Sequence, residues 1–201
     1  MTYRRPLLAL AAGSLLLPGL ARAQAADPRM AERAAGKPDA KVTVIEYFSL
    51  TCGHCAAFHK ETWPRVKSEL VETGRVRQVF RDFPLDQLAL AAAAVARSLP
   101  ADRYEPFIAT LFATQDRWAF NRNSDPRTEL FKLASIAGMD RPTFDAALTD
   151  LGLQRAILEI RAAAQQQHNV NSTPTFVFGT RAVPGAISFD RYAQLVTEAG
   201  G

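Results

Sequence analysis

Cys52 and Cys55 are the only cysteines among 201 residues, and Gly53 and His54 separate them. Two thiols at that spacing can cross-link the chain, hold a metal or exchange electrons. As a staple the pair is poor, because closing so small a ring is worth only ~2 kcal/mol by the loop-entropy relation. As a structural zinc clip it lacks ligands: zinc normally takes four, and beyond the two thiols the sequence offers only His54, His59 and His168. Copper(I), content with two thiolates, keeps a metal reading open. As a redox centre the residue order assigns roles. A thiolate at Cys52 lies over a helix N-terminus, where unpaired N–H groups and the helix dipole favour negative charge, and His54 adds a second stabiliser. Cys55 is then placed to attack a mixed disulfide at Cys52 and release the product.

The flanking segments fit that placement. KVTVIEYFSL (41–50) is β-branched and aromatic, as a buried strand is. After it Thr51 is the predicted N-cap, and Cys55, Phe58, His59, Thr62, Trp63, Val66 and Leu70 recur at helical steps. Pro64 is predicted to kink this helix and Gly74 to end it, before a second strand over 75–83. His59 reads as a helix-surface or core histidine. Glu46 sits inside the apolar first strand: either it is directed to solvent near the strand end, or it faces the active centre.

From Leu85 to about Val170 every periodic segment is helical. Asp86 is a cap for an Ala-rich helix stopped by Pro100. Asp102 with Glu105 reads as a capping box, and Asp125-Pro126 as an N-cap followed by proline at the first helical position. Strands return over 173–183, opened by Thr173-Pro174, where proline is tolerated as the first strand residue or in a tight cis turn. An amphipathic helix through Phe189, Tyr192, Leu195 and Val196 closes the chain. The expected fold is α/β, with a block of helices inserted at about 85–170 that covers the active-site face and bounds an apolar groove.

The first 23 residues have the layout of a secretory signal: Arg4 and Arg5, an apolar run to Leu17, then small residues up to Ala23. The run is shorter than the ~20 residues a membrane helix needs, so cleavage after about Ala23 and a periplasmic location are expected. Arg4-Arg5 with Leu7-Leu8 partly matches a twin-arginine signal; the general secretory route is the default. Three of the 24 basic residues (Arg4, Arg5, Arg22) and none of the 20 acidic ones lie there, which leaves 21 against 20, a net of +1. That near-neutral balance argues against nucleic acid as a partner. Residues 24–40, polar and rich in alanine, read as an exposed segment ahead of one domain over 41–201.

VIEYFSLTCGHC, AAFHKETWP, FRDFPLD and STPTFVFG, in that order, resemble the DsbA family of bacterial exported thiol:disulfide oxidoreductases, and C-x-x-C beside a strand–helix unit is itself a thioredoxin-like signal. The resemblance runs from about Lys41 to the C-terminus. It implies a thioredoxin fold with an inserted helical subdomain and no cofactor beyond a redox-active Cys52–Cys55 disulfide. It also implies Cys52 as exposed nucleophile, Cys55 as buried partner, Glu46 as the carboxylate handling the proton of Cys55, and a cis-proline at Pro174. Thr173 would offer its backbone to an extended substrate. Reduced or misoxidised exported proteins are the implied substrates and a membrane protein of the DsbB type the redox partner. Gly53-His54 stands where the best-known oxidant has Pro-His, and Thr173 where it has Val. His54 favours an oxidant; threonine before the cis-proline is commoner in reductase and isomerase relatives. The N-terminal segment is too short for the dimerisation domain of dedicated isomerases, so the expectation is a monomeric oxidant, with a reductase/isomerase or a copper-binding module as alternatives.

Overall fold

The computed structural model describes residues 27–200. The predicted signal sequence lies outside these residues. A short 3-10 turn (Pro28–Met30) leads into β1 (Arg33–Ala35), then β2 (Val42–Phe48), α1 (Gly53–Glu61), α2 (Trp63–Val66) and β3 (Val76–Asp82). The helical block follows as α3 (Gln87–Arg97), α4 (Ala101–Ala113), α5 (Gln115–Trp118), α6 (Pro126–Ile136), α7 (Arg141–Thr149) and α8 (Leu151–His168). β4 (Thr175–Phe178), β5 (Arg181–Pro184) and α9 (Phe189–Glu198) complete the chain. The strands form one sheet in the order β1-β3-β2-β4-β5, with β2 and β3 parallel and the other neighbours antiparallel.

Strand periodicity divides β2 between two cores. Val42, Val44, Glu46 and Phe48 share one face by alternation, and the three apolar members join the main core with α1, α9 and most of the helical block. Tyr47 points the other way, into a smaller cluster with Phe83, Ala164, Val170 and Val177, where α8 covers the opposite sheet face. The inserted helices therefore share one continuous apolar core with the sheet, because α4 presents Phe107, Ile108, Leu111 and Phe112 to the same cluster as Phe48 and Phe58. The inserted helical subdomain thus packs as an outer layer directly on the sheet.

Local signals hold at most element ends. Asp86, Asp125 and Asp140 accept from backbone N–H groups three residues on. Gly74 and Gly138 take positive φ, which side-chain-bearing residues resist, just past the elements they end. Thr62 breaks the first helix ahead of Pro64, whose missing N–H is harmless in the first turn of α2.

Three expectations are corrected. Segment 24–40 is not wholly an exposed lead-in, since Arg33–Ala35 pairs with β3 as an edge strand and the Arg33 side chain is buried. Asp102 and Glu105 form no capping box: Pro100 occupies the N-cap of α4, and Glu105 instead accepts from Trp63 Nε1 at 3.0 Å and Lys67 Nζ at 2.9 Å, tying α4 to the redox-motif helices. Thr51 is not the N-cap of α1. Cys52 is, and the Thr51 hydroxyl donates to Asp86 at 2.6 Å.

Candidate redox site

Placing Cys52 at the N-cap has a direct chemical consequence. Its backbone is extended while its carbonyl already accepts from Ala56 N, so the sulfur hangs over the open first turn of α1. Cys55, one turn in, faces the core and is 0% exposed, against 8% for Cys52. The exposed nucleophile implied by resemblance is thus a largely buried residue, less completely buried than Cys55. Both cysteines are free thiols in this structure.

The thiol of Cys52 donates to the Thr173 carbonyl at 3.3 Å, across the cis Thr173–Pro174 bond from β4. Five influences set its acidity, and the net effect draws the Cys52 pKa down to about 5. The largest is a hydrogen bond from the Cys55 thiol, which favours the thiolate; burial opposes it. The side chain of Thr173 then adds to the lowering, followed by the backbone N–H groups of Cys55 and His54 at the helix N-terminus. The expected stabilisation by the His54 side chain is corrected here: His54 is exposed and acts through its backbone. Cys55 shifts the other way. Burial pushes its thiol well above the ordinary range, the hydrogen bond and charge of Cys52 push further, and the Glu46 carboxylate adds to the effect.

Glu46 is fully buried, which excludes the solvent-directed alternative. Its two oxygens are held separately: Oε1 lies 2.9 Å from His59 Nε2, and Oε2 accepts from Gln78 Nε2 at 2.9 Å. Gln78 is oriented in turn by the Tyr192 hydroxyl, which donates to its Oε1 at 2.6 Å. Burial and the Glu46 charge push the Tyr192 phenol well above its ordinary range, so it stays a neutral donor. His59 is therefore a buried partner of Glu46 and not a surface histidine. Among the described residues no group of three or more His, Cys, Asp or Glu side chains is placed to hold a metal ion.

Sequence reasoning missed three contributors. Gln115, buried on α5, donates its amide to the Leu50 carbonyl at 2.8 Å and the Cys52 carbonyl at 3.2 Å, so the helical block grips the strand–helix junction. Asp86 anchors Thr51, and Gln78 fixes Glu46. These contacts join segments 32 to 65 residues apart, which no local pattern records. Only the spacing of His59, four residues after Cys55 on one helix face, was available as a signal. A cavity of about 380 Å³ beside α1 is lined by polar as well as apolar groups, including Glu61, Thr62, Arg65 and Asp190.

The fold agrees with comparisons against known proteins. A family model described as thioredoxin matches residues 29–198. A Rickettsia bellii protein bearing the name of a protein-disulfide oxidoreductase is 25% identical over 142 residues, which take in 70% of this chain and 54% of that one. The thiol:disulfide interchange protein DsbA of Bordetella pertussis is 28% identical over 145 residues, 70% of this chain and 65% of that one. The crystal structure of Wolbachia pipientis alpha-DsbA1 superposes with a TM-score of 0.77 at 25% identity, covering 84% of this chain and 90% of that one. This chain spans about half the length of the first of these relatives. With its cis-proline beside a Cys-Gly-His-Cys helix start and its inserted helical layer, the chain belongs to the thioredoxin family, in its DsbA-like form.

Proposed function

We propose that the protein is a thiol:disulfide oxidoreductase that works as an oxidant, donating a Cys52–Cys55 disulfide to exported proteins in the periplasm. The observation that carries this reading is the division between the two thiols. Cys52 is drawn to about 5 and slightly accessible; Cys55 is pushed up and sealed. A substrate thiolate attacks Cys52 Sγ, the Cys52–Cys55 bond breaks, and its electron pair goes to Cys55 Sγ, which takes up a proton. A second substrate thiolate then attacks the substrate sulfur of the mixed disulfide. The substrate disulfide forms, Cys52 leaves as a thiolate, and the enzyme has gained two electrons.

The last step supports the oxidant direction. A low-pKa thiol is a good leaving group, and a thiolate stabilised at about pH 5 favours the reduced enzyme at neutral pH. Glu46 serves as the acid–base group for Cys55. Thr173, whose carbonyl faces the sulfur, aligns an extended substrate beside Pro174. The protein acts as a monomer on reduced or misoxidised exported proteins and is reoxidised by a membrane partner of the DsbB type.

Thiol trapping in cells tests the direction. Cys52 and Cys55 mostly oxidised supports this reading. Mostly reduced thiols would turn it to a reductase or isomerase, and thiols found loaded with copper to a copper-binding module. Roles are tested by Cys55→Ser, expected to accumulate mixed disulfides through Cys52, with none on Cys52→Ser.

A further inference from the structure

Cys55 and His59 lie one helical turn apart on the same face of α1, and His59 Nε2 reaches the one carboxylate buried beneath that face, at 2.9 Å. We propose that His59 is a positioning residue for disulfide exchange: paired with Glu46, it keeps an exchangeable proton beside Cys55 and lets the buried thiol leave and return as a neutral group. This rests on the oxidoreductase reading above and names the proton's keeper within it.

Hydrogen-bond accounting around the imidazole supports the role. Without the extra proton, Nε2–H donates to Oε1 and Gln78 donates to Oε2, so the carboxylate is satisfied on both oxygens. With it, the pair is either a glutamic acid donating to Nε2 or an imidazolium facing a carboxylate, and both place a hydrogen on Nδ1. That nitrogen is buried and has no hydrogen-bond partner among the described residues. The extra proton thus always leaves a buried N–H without an acceptor, and its departure to Cys55 removes that unpaired donor.

The surroundings leave few other sources. From α4, Phe112 stacks on the imidazole at 4.3 Å; Phe48 of β2, Phe80 of β3, Trp63 of α2 and Phe58 line the rest. The titratable groups facing the pair are Cys55 with Cys52 behind it and, beyond Gln78, Tyr192. When substrate attacks Cys52, the electron pair of the breaking S–S bond goes to Cys55 Sγ and the proton of the pair follows it. The pair is left as carboxylate and neutral imidazole, and solvent later restores the proton.

The test is reduction of the oxidised full chain by dithiothreitol, followed by tryptophan fluorescence from pH 5 to 9. His59→Gln retains an N–H donor for Glu46 but cannot exchange the proton. It is expected to fold, to leave the Cys52 thiolate titration near 5, to slow exchange about tenfold or more at neutral pH, and to flatten the pH profile. A rate within twofold of the parent with an unchanged profile would overturn the inference and leave the oxidoreductase reading standing. Failure of the unmodified protein to react would remove both. Ring ¹⁵N shifts of His59 in the unmodified protein give a readout independent of any variant: they should differ between oxidised and reduced forms, and identical shifts across the pH range would count against the role.

Discussion

Among the described residues, two buried acid–base pairs are built alike and placed differently. Asp82 and Arg97 are 2% and 1% exposed, and Glu46 and His59 are 0% and 1% exposed. Each carboxylate is held on both oxygens: Asp82 by Arg97 and by the Tyr104 hydroxyl at 3.2 Å, Glu46 by His59 and Gln78. The difference lies in the base. A guanidinium never gives up its proton, so the Asp82–Arg97 pair can only clamp. It joins the end of β3, the last turn of α3 and the N-terminal segment, where Arg97 also donates to the Arg29 carbonyl and Arg33 to the Arg97 carbonyl. An imidazole can exchange its proton, and that pair sits one turn from Cys55. The comparison separates a pair that holds the fold from a pair poised for chemistry.

The separation is most directly broken by removing the clamp. Arg97→Leu leaves Asp82 buried without its cation and is expected to lower unfolding free energy by ~3–5 kcal/mol, measured by urea titration. The Cys52 thiolate, followed by absorbance near 240 nm, should still titrate near 5. A clamp variant that moves this titration would mean the two regions are coupled.

Next in size is a pH effect confined to the redox region. Cys52 titrates near 5 in the folded reduced protein, against ~8.5 for an unfolded thiol. Between those values the unfolded state binds more protons, so stability rises with pH; the contribution is complete above ~8.5 and is lost as pH falls through about 5. At full strength the shift is worth ~5 kcal/mol, and solvent beside the sulfur reduces that to roughly half. The oxidised form has no thiol to titrate. The stability gap between reduced and oxidised protein should therefore shrink by ~2–3 kcal/mol between pH 8.5 and 4.5, and a pH-independent gap would remove the basis for an oxidant.

Within the redox region the donors rank themselves. Cys55→Ala removes the principal stabiliser of the Cys52 thiolate and should raise its titration by ~1–2 units, the worth of one charge-assisted hydrogen bond. Thr173→Val should raise it by less, about half a unit to one unit, since the side chain contributes after Cys55. The smallest effect is expected for His54→Ala, a shift under ~0.5 units, because the backbone N–H that helps Cys52 survives the substitution. A larger shift from His54→Ala than from Thr173→Val would reverse this order and make the imidazole a stabiliser of the thiolate. All three should leave the clamp's contribution to stability untouched.

Much of the architecture was legible because its signals are local. Strand composition at 41–50, helical spacing after Cys52, aspartate caps and the terminating Gly74 and Gly138 act within a few residues of where they are read. The edge strand Arg33–Ala35 was not legible. Three residues carry no periodicity, and their pairing is supplied by β3, more than forty residues away. Glu105 misled for the same reason: a capping-box spacing was present, but Trp63 and Lys67 claimed the carboxylate from another helix.

The site divides along the same line. Residue order alone determined that Cys52 precedes Cys55 at a helix start, that a proline follows Thr173 at a strand entrance, and that a carboxylate interrupts an apolar strand; these are facts of spacing and type. Tertiary structure decided what those residues do to one another. Acidity, burial and proton exchange depend on distances across the fold, and packing brought Thr173 to the sulfur of Cys52, Gln115 to its carbonyl and His59 to Glu46 while leaving the His54 side chain in solvent. Electrostatic influence falls off over a few ångströms in space, whatever the separation along the chain.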